Sequence, residues 1–343
     1  MHIGLSSVWH GLLTGRIICA KITKKGGDNM TETTKTIFEK YEVRKTKKQK
    51  SAFREYITSL CNDWGYSCKI EKGSLGSKNI VVGDVDNASV IYTAHYDTCP
   101  RLPFPNFITP KNMFIYILYQ LLIVSVILIP VFFVQLLVGF VAAMHFSPDV
   151  AFDIAYFAEL IAMLLVFSLF LLGPANKHTA NDNTSGVTTL IDIMSKLPME
   201  ERGKVAFVFF DMEEMWLFGS MGFRSKHKKS TDKKLLINFD CVSDGENALF
   251  VVKKGARGFV PLLKEAFPST EDMNTEIVTK GAIYPSDQAS FPCGVGACAL
   301  KKAKRTGILY MDKIHTSKDT VYREKNIEYF SNGAVKLAEL ISR

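Results

Sequence analysis

The sequence predicts an α/β fold: a three-layer α/β/α sandwich around a mixed central sheet, interrupted by a two-helix transmembrane hairpin. Three observations carry this expectation. Short apolar, β-branched runs alternate with helical stretches from Tyr66 onward. Histidines and acids recur just where those runs end. In the middle, 33 consecutive residues between Lys111 and His145 carry no charge, and 17 more lie uncharged between Glu159 and Lys177.

Taken in order, residues 1–29 are expected to be an extension outside the fold. Gly26-Gly27-Asp28, just before Met30, can be written in bacterial codons as a ribosome-binding sequence, so translation is expected to begin at Met30. Val8 to Ala20 is a poor export signal, because His10 and Arg16 break it and its basic cluster follows the apolar part. Thr31 to Trp64 reads as helical, with Phe38, Tyr41, Phe53, Tyr56, Ile57 and Leu60 at roughly helical spacing. Its basic run, Arg44, Lys45, Lys47, Lys48 and Lys50, reads as a solvated face or as a contact with anionic lipid headgroups. No aromatic-basic motif accompanies it, so nucleic acid is not an expected partner.

Strands are expected at Asn79–Gly83, Ser89–Ala94, Val205–Phe210, Leu235–Phe239, Leu249–Val252, Glu276–Thr279 and Val295–Leu300. Helices are expected at Val187–Leu197, Phe259–Phe267 and Glu324–Ile341. Residues 30–110 and 176–343 then form the two parts of one domain, with the hairpin at 111–175. About 20 apolar residues cross a ~30 Å hydrocarbon layer, and Met113–Met144 and Ala151–Leu172 both suffice. Pro130 is expected to kink the first. Arg101, Lys111 and Lys177 flank the outer ends, whereas the connector holds only His145 and acids, so the globular part is expected on the cytoplasmic side.

The seven cysteines, an odd number without a Cys-x-x-Cys, read as free thiols in a reducing compartment. A net charge of +8 with 47% hydrophobic and 22% charged residues excludes a disordered chain. Two spans without an intramembrane charge pair give a transporter no pathway. Gly-x-Ser-x-Gly is absent, which disfavours a serine nucleophile.

Five clusters carry the candidate chemistry: His95-Tyr96-Asp97, Asn181 to Gly186 around Asp182, Asp211-Met212-Glu213-Glu214, Asp240, and His315 with Asp319 four residues on. His95 and Asp97, two apart in a strand, share a face. Strand ends are where α/β sheets bind ligands, and histidines with carboxylates suit zinc or a similar divalent ion.

Thr93-Ala94-His95-Tyr96-Asp97, Asn181-Asp182-Asn183-Thr184-Ser185-Gly186, Glu213-Glu214 followed by Leu217-Phe218-Gly219-Ser220, Asp240 and His315-Thr316 occur in one order that resembles the M28 zinc aminopeptidases, the co-catalytic dizinc exopeptidases. The resemblance covers about Ser89–Asp97 and then Asn176 to the C-terminus. It implies a zinc exopeptidase-like sandwich, two Zn²⁺ or other divalent ions, and peptide substrates with a free N-terminus. His95 and Asp240 would hold one metal, Glu214 and His315 the other, and Asp182 would bridge them. Glu213 would be the general base and Asp97 would orient His95. Two metals sharing one water would lower its pKa and polarise the scissile carbonyl. Many relatives have Ser-Asp-His where this chain has Ser286-Asp287-Gln288, which implies an altered substrate pocket. The long insertion leaves the ligand-bearing edge, so the active-site mouth is expected to face the bilayer. The alternatives are hydrolysis of a non-peptide amide or a dipeptide on the same scaffold, or a catalytically silent membrane scaffold. Oligomeric state is left open.

Overall fold

A computed structural model describes residues 30–342; the expected extension at 1–29, with Cys19, lies outside the described residues. The expected long N-terminal helix is instead two helices, α1 (Glu32–Lys40) and α2 (Lys47–Asp63). Thr46 caps α2 by accepting the Gln49 N–H, and the Gln49 side chain accepts the Thr46 N–H in return. The break at 41–46 turns Arg44 inward. Its side chain is fully buried and donates to the carbonyls of Tyr96 and Tyr41 and to Thr184 Oγ1. Arg44 therefore belongs neither to a solvated face nor to a headgroup contact, because each of its three guanidinium nitrogens donates inside the protein.

Strands β1 (Cys68–Lys72), β2 (Lys78–Val82) and β3 (Val90–His95) follow, and then the two apolar helices α3 (Met113–Ala143) and α4 (Pro148–Leu172). After α5 (Gly186–Lys196) come β4 (Val205–Phe210), α6 (Phe218–Lys226), the short α7 (Lys228–Thr231), β5 (Leu235–Phe239) and β6 (Asn247–Val252). The chain closes with α8 (Val260–Ala266), β7 (Asn274–Val278), β8 (Gly294–Lys302), β9 (Leu309–Tyr310) and α9 (Glu324–Ser342).

The sheet order is β1-β2-β4-β3-β5-β8-β6-β7, with β9 on β8. It is mixed: β4, β3, β5 and β8 run parallel, while β1 and β2 and the β8–β6 pair are antiparallel. Alternation along the strands supplies both faces. Tyr92, Phe207, Ile237 and Phe239 join the larger core with α1, α2, α5, α8 and α9. Ile91, Val208, Phe210 and Leu236 point the other way and pack with Phe223 of α6 and Phe291. This is the expected three-layer sandwich.

α3 and α4 are each long and apolar enough to cross a membrane, at roughly 46 and 37 Å for 31 and 25 residues at 1.5 Å per residue. α3 continues through Pro130. The two helices pack on each other, and Gly139 permits the approach: a Cβ there would meet Ala155 Cβ at 3.2 Å. Most of their surface touches nothing, with Phe114, Leu121, Leu137, Phe140, Phe157 and Leu164 all more than half exposed. The insertion begins and ends at one place. Asn176 N–H donates to Cys99 O, and Arg101 N–H to Pro174 O. Residues 101–112 stay on the sandwich, pairing with 311–315 through Leu102 N–H to His315 O and Ile108 with Met311.

Candidate metal centre

Three adjacent parallel strands deliver most of the predicted site to one sheet edge. His95 ends β3, Glu213 and Glu214 follow β4, and Asp240 follows β5. Asp182 comes from the turn before α5 and His315 from the loop after β9.

The turn is built by alternation. Asn181 Oδ1 accepts the N–H groups of Ser243 and Asp244, Asn183 donates to Phe239 O and accepts from Gly186 N–H, and Ser185 Oγ accepts from Val242 N–H. These three side chains knit the turn to the segment after β5. Gly186 is required here, because a Cβ would lie 2.2 Å from Phe239 O. Asp182 and Thr184 face the other way, Thr184 onto Arg44 and Asp182 into the cluster.

The geometry there is specific. His95 Nε2 lies 3.3 Å from Asp182 Oδ1 and 3.6 Å from Asp240 Oδ1. His315 Nε2 lies 3.1 Å from Asp182 Oδ2 and 3.3 Å from Glu214 Oε2. Asp182 thus offers one oxygen to each histidine. His95 Nδ1 sits 3.1 Å from the Asp97 carbonyl oxygen, so that nitrogen donates its proton there and Nε2 is the nitrogen turned toward the acids. The Asp97 carboxylate is 3.7 Å from Nδ1, beyond hydrogen-bond reach. It accepts instead the backbone N–H groups of Glu213 (3.0 Å) and Glu214 (3.3 Å). Asp97 therefore fixes both the ring, through its carbonyl, and the paired glutamates, through its side chain.

The electrostatics divide the acids: against burial, hydrogen bonds and charge from His315 and His95 hold Asp182 below its usual range. Burial pushes the Glu213 carboxyl well above its usual range, and Glu214, Asp287 and Asp240 add to the push. Burial also raises Glu214, to about 8. Burial alone would lower both histidines, but the surrounding carboxylates outweigh it, and His315 is held at about 9. Glu214 Oε1 is buried with no hydrogen-bond partner. A buried surplus of carboxylates, an orphaned carboxylate oxygen and two imidazole nitrogens aimed at acids form a donor set that fits divalent cations.

Several contributors had no role assigned from the sequence. Asp319 accepts the N–H groups of Asn181 and Asp182. Cys99 and Cys241 come within 4.8 Å of ligand-type atoms of the cluster, and Cys241 Sγ donates to Asp240 Oδ1. Asp211 binds Lys50 at 2.6 Å and the Lys78 N–H, pinning the start of the Glu213 turn. Among the described residues, five of the six non-glycine residues with positive φ are Met212, Trp216, Leu217, Cys241 and His315, all beside the cluster, where backbone strain is expected at functional sites. Gln288 is buried, donates to Tyr284 O and accepts from Asn238, so it packs behind Tyr284.

Residues 167–337 match the model of peptidase family M28. This stretch belongs to peptidase family M28. His95 and Asp97 precede the M28 stretch in sequence, across α3 and α4, and the fold returns them to its acids. The architecture is similar to that of the Legionella pneumophila LapA aminopeptidase (14% identity, 90% of this chain and 68% of that one, TM-score 0.54). It is also similar to Porphyromonas gingivalis glutaminyl cyclase (13%, 90% and 98%, 0.52) and to a leucine aminopeptidase precursor from Bacteroides thetaiotaomicron (14%, 89% and 93%, 0.50). At these identities the likeness is one of fold. No curated protein matches the chain in sequence. Family M28 makes the chain a metallopeptidase by class.

A cavity of about 290 Å³ opens on the cluster, lined by Asp182, Glu213, Glu214, Asp240 and His315 on one side. Tyr116 and Gln120, one turn apart in α3, line it on another. The first apolar helix is therefore part of the wall.

Proposed function

We propose that the protein is a membrane-anchored exopeptidase that hydrolyses the N-terminal bond of peptides at a two-metal centre. The observation that carries this is the position of Asp182 between the two histidines, one oxygen toward each. It supports His95 and Asp240 as holders of one ion, Glu214 and His315 as holders of a second, and Asp182 as their bridge. Bound ions of this kind lower the pKa of a water and polarise the scissile carbonyl. Glu213 takes the proton of the attacking water and delivers it to the leaving amine. Asp97 keeps Glu213 and Glu214 in register through their backbone N–H groups. The surrounding acids favour the α-ammonium of a free N-terminus, and the walls contributed by Tyr116 and Gln120 confine the side chain that follows.

In this reading residues 30–110 and 176–343 are one catalytic unit, and 111–175 is a hairpin that crosses the bilayer and returns. The exposed apolar surface of α3 and α4 supports it, because a patch of that extent is untenable in water. Arg101, Lys111 and Lys177 at the sandwich end favour a cytoplasmic catalytic unit.

The test uses detergent-purified, zinc-loaded protein and matched free and N-acetylated peptides. Release of the first residue from free peptides only, abolished by chelator, is the expected result. Two bound metals without turnover of any peptide would redirect the reading to a non-peptide amide. Absence of bound metal would overturn the ligand assignment.

A further inference from the structure

On the side of Glu214 marked by Asp97 and Met215, a second depression of about 780 Å³ runs from Glu214 and Asp97 outward to the last turn of α4, Phe170 to Leu172. That size is ordinary for a ligand site. Its rim is basic: Lys45, Lys47, Lys48, Lys50, Arg54 and Lys78 all contribute. Three of these are occupied. Lys50 pairs with Asp211, Arg54 donates to Tyr96 Oη, and Lys45 donates to Leu171 O. The ammonium groups of Lys47, Lys48 and Lys78 have no partner among the described residues.

Two of the unpaired groups stand where local energetics disfavours them. Lys47 and Lys48 open α2, whose first turn holds no acid, so their charges add to the positive end of the helix dipole instead of opposing it. A sequence that breaks a local rule at a ligand-sized depression is expected to do so for function. The depression also meets the cluster at Glu214, which it shares with the smaller cavity, with Asp97 beside it at the inner end. A peptide whose N-terminus lies at the cluster can extend along it.

Resting on the exopeptidase reading, we infer that this groove is a subsite for the carboxylates of acidic peptide substrates, bound by Lys47, Lys48 and Lys78. Its occupant is the substrate, not a lipid, because whatever fills the groove ends at Glu214.

The experiment uses the full zinc-loaded chain in phosphatidylcholine nanodiscs with two peptides, Leu-Ala-Glu-Glu and its isostere Leu-Ala-Gln-Gln. The expected kcat/KM ratio favours the acidic peptide by about 3- to 10-fold at low salt, the scale of two or three exposed charge pairs. The ratio falls toward 1 in about 0.5 M NaCl, where such charges are screened. It also falls toward 1 in the double variant Lys47→Gln, Lys48→Gln, and is unchanged by Lys264→Gln on α8, which lines no part of the groove. Equal rates on the two peptides in the native chain overturn the proposal, as does a preference that survives the double variant. Lysine substitutions that matter only when phosphatidylglycerol is present would assign these groups to lipid headgroups and likewise overturn it. If neither peptide is cleaved, the exopeptidase reading fails, and fluorescence anisotropy with the labelled acidic peptide decides the groove separately: binding that depends on Lys47 and Lys48 sustains it, and binding indifferent to them ends it.

Discussion

Asp319 holds Asp182 by the backbone: its two carboxylate oxygens accept the N–H groups of Asn181 at 2.9 Å and of Asp182 at 3.0 Å. The residue that faces both histidines is thus positioned by an acid from a different loop. Asp319 is almost fully buried and touches no imidazole of the cluster, so its influence is exerted through Asp182.

Asp319→Ala should then loosen the turn without removing a ligand. Supporting groups of this kind are typically worth ~10–100-fold in metal affinity or activity. We expect a loss of that size in zinc affinity by chelator competition, with Asp319→Asn recovering part of it through its one remaining acceptor. An unchanged zinc affinity in Asp319→Ala would show that the turn holds its shape on Asn181, Asn183 and Ser185 alone.

Glu213→Gln should lower kcat by roughly 10²–10⁴, the range for a positioned acid-base group, while both metals stay bound. Metal content measured beside the rate separates this from a ligand loss. If zinc leaves with the substitution, Glu213 is a ligand and the proton must go elsewhere.

The parts of this molecule that were readable from sequence are those whose signal is local. β4 and β5 fall on the residues that their apolar runs predict, since a strand buried on both faces is written as an uninterrupted apolar segment. Four of the five clusters were readable because they close such a strand or open a helix, whereas His315 lies in the loop after β9. Arg44 was misread because an arginine among four lysines looks like surface; only the turn at 41–46, set by the Thr46 cap, sends it inside. Asp319 was legible as a neighbour of His315 but its hold on the Asp182 turn was not, and Cys99 and Cys241 reach the site through chain reversals that leave no periodic trace. The buried partners of Gln288, Tyr284 and Asn238, are likewise set by tertiary packing and leave no mark in the sequence around it.

The wall formed by α3 ties activity to the hairpin. Gln120→Ala should raise KM by several-fold with little change in kcat, because it removes a contact made equally to bound substrate and to the reacting state. Tyr116 also packs beside Ile108 and Tyr284, so Tyr116→Ala should lower the melting temperature as well. Steady-state kinetics and a thermal scan on each variant check this, and unaltered KM in both would remove α3 from the substrate pocket.

Gly139 sets the spacing of the two apolar helices. Alanine there would already bring two Cβ atoms to 3.2 Å, so Gly139→Leu must push α3 from α4 or strain the pair. Overpacking of this type costs about 1–3 kcal/mol. A fall in thermal stability in detergent is expected, with Gly139→Ala intermediate; equal stability of all three would mean that the helices part freely.

Glu42, which is not itself one of the proposed metal ligands, gives the stability a pH dependence. Burial pushes its carboxyl up to about 7, against the opposing Thr179 N–H and the Arg44 charge. The unfolded chain ionises this group near 4.5, so between those values the folded state holds a proton that the unfolded state has lost. Stability from this group therefore declines as pH rises from about 4.5 to about 7 and is level above. Glu42→Gln keeps an oxygen for the Thr179 N–H and removes the charge, so the variant should gain on the order of 1–3 kcal/mol relative to the native chain at pH 8 and almost nothing at pH 4.5. Denaturation midpoints at both pH values, compared between the two chains, measure that difference, and an equal offset at both would show that Glu42 is already ionised in the fold.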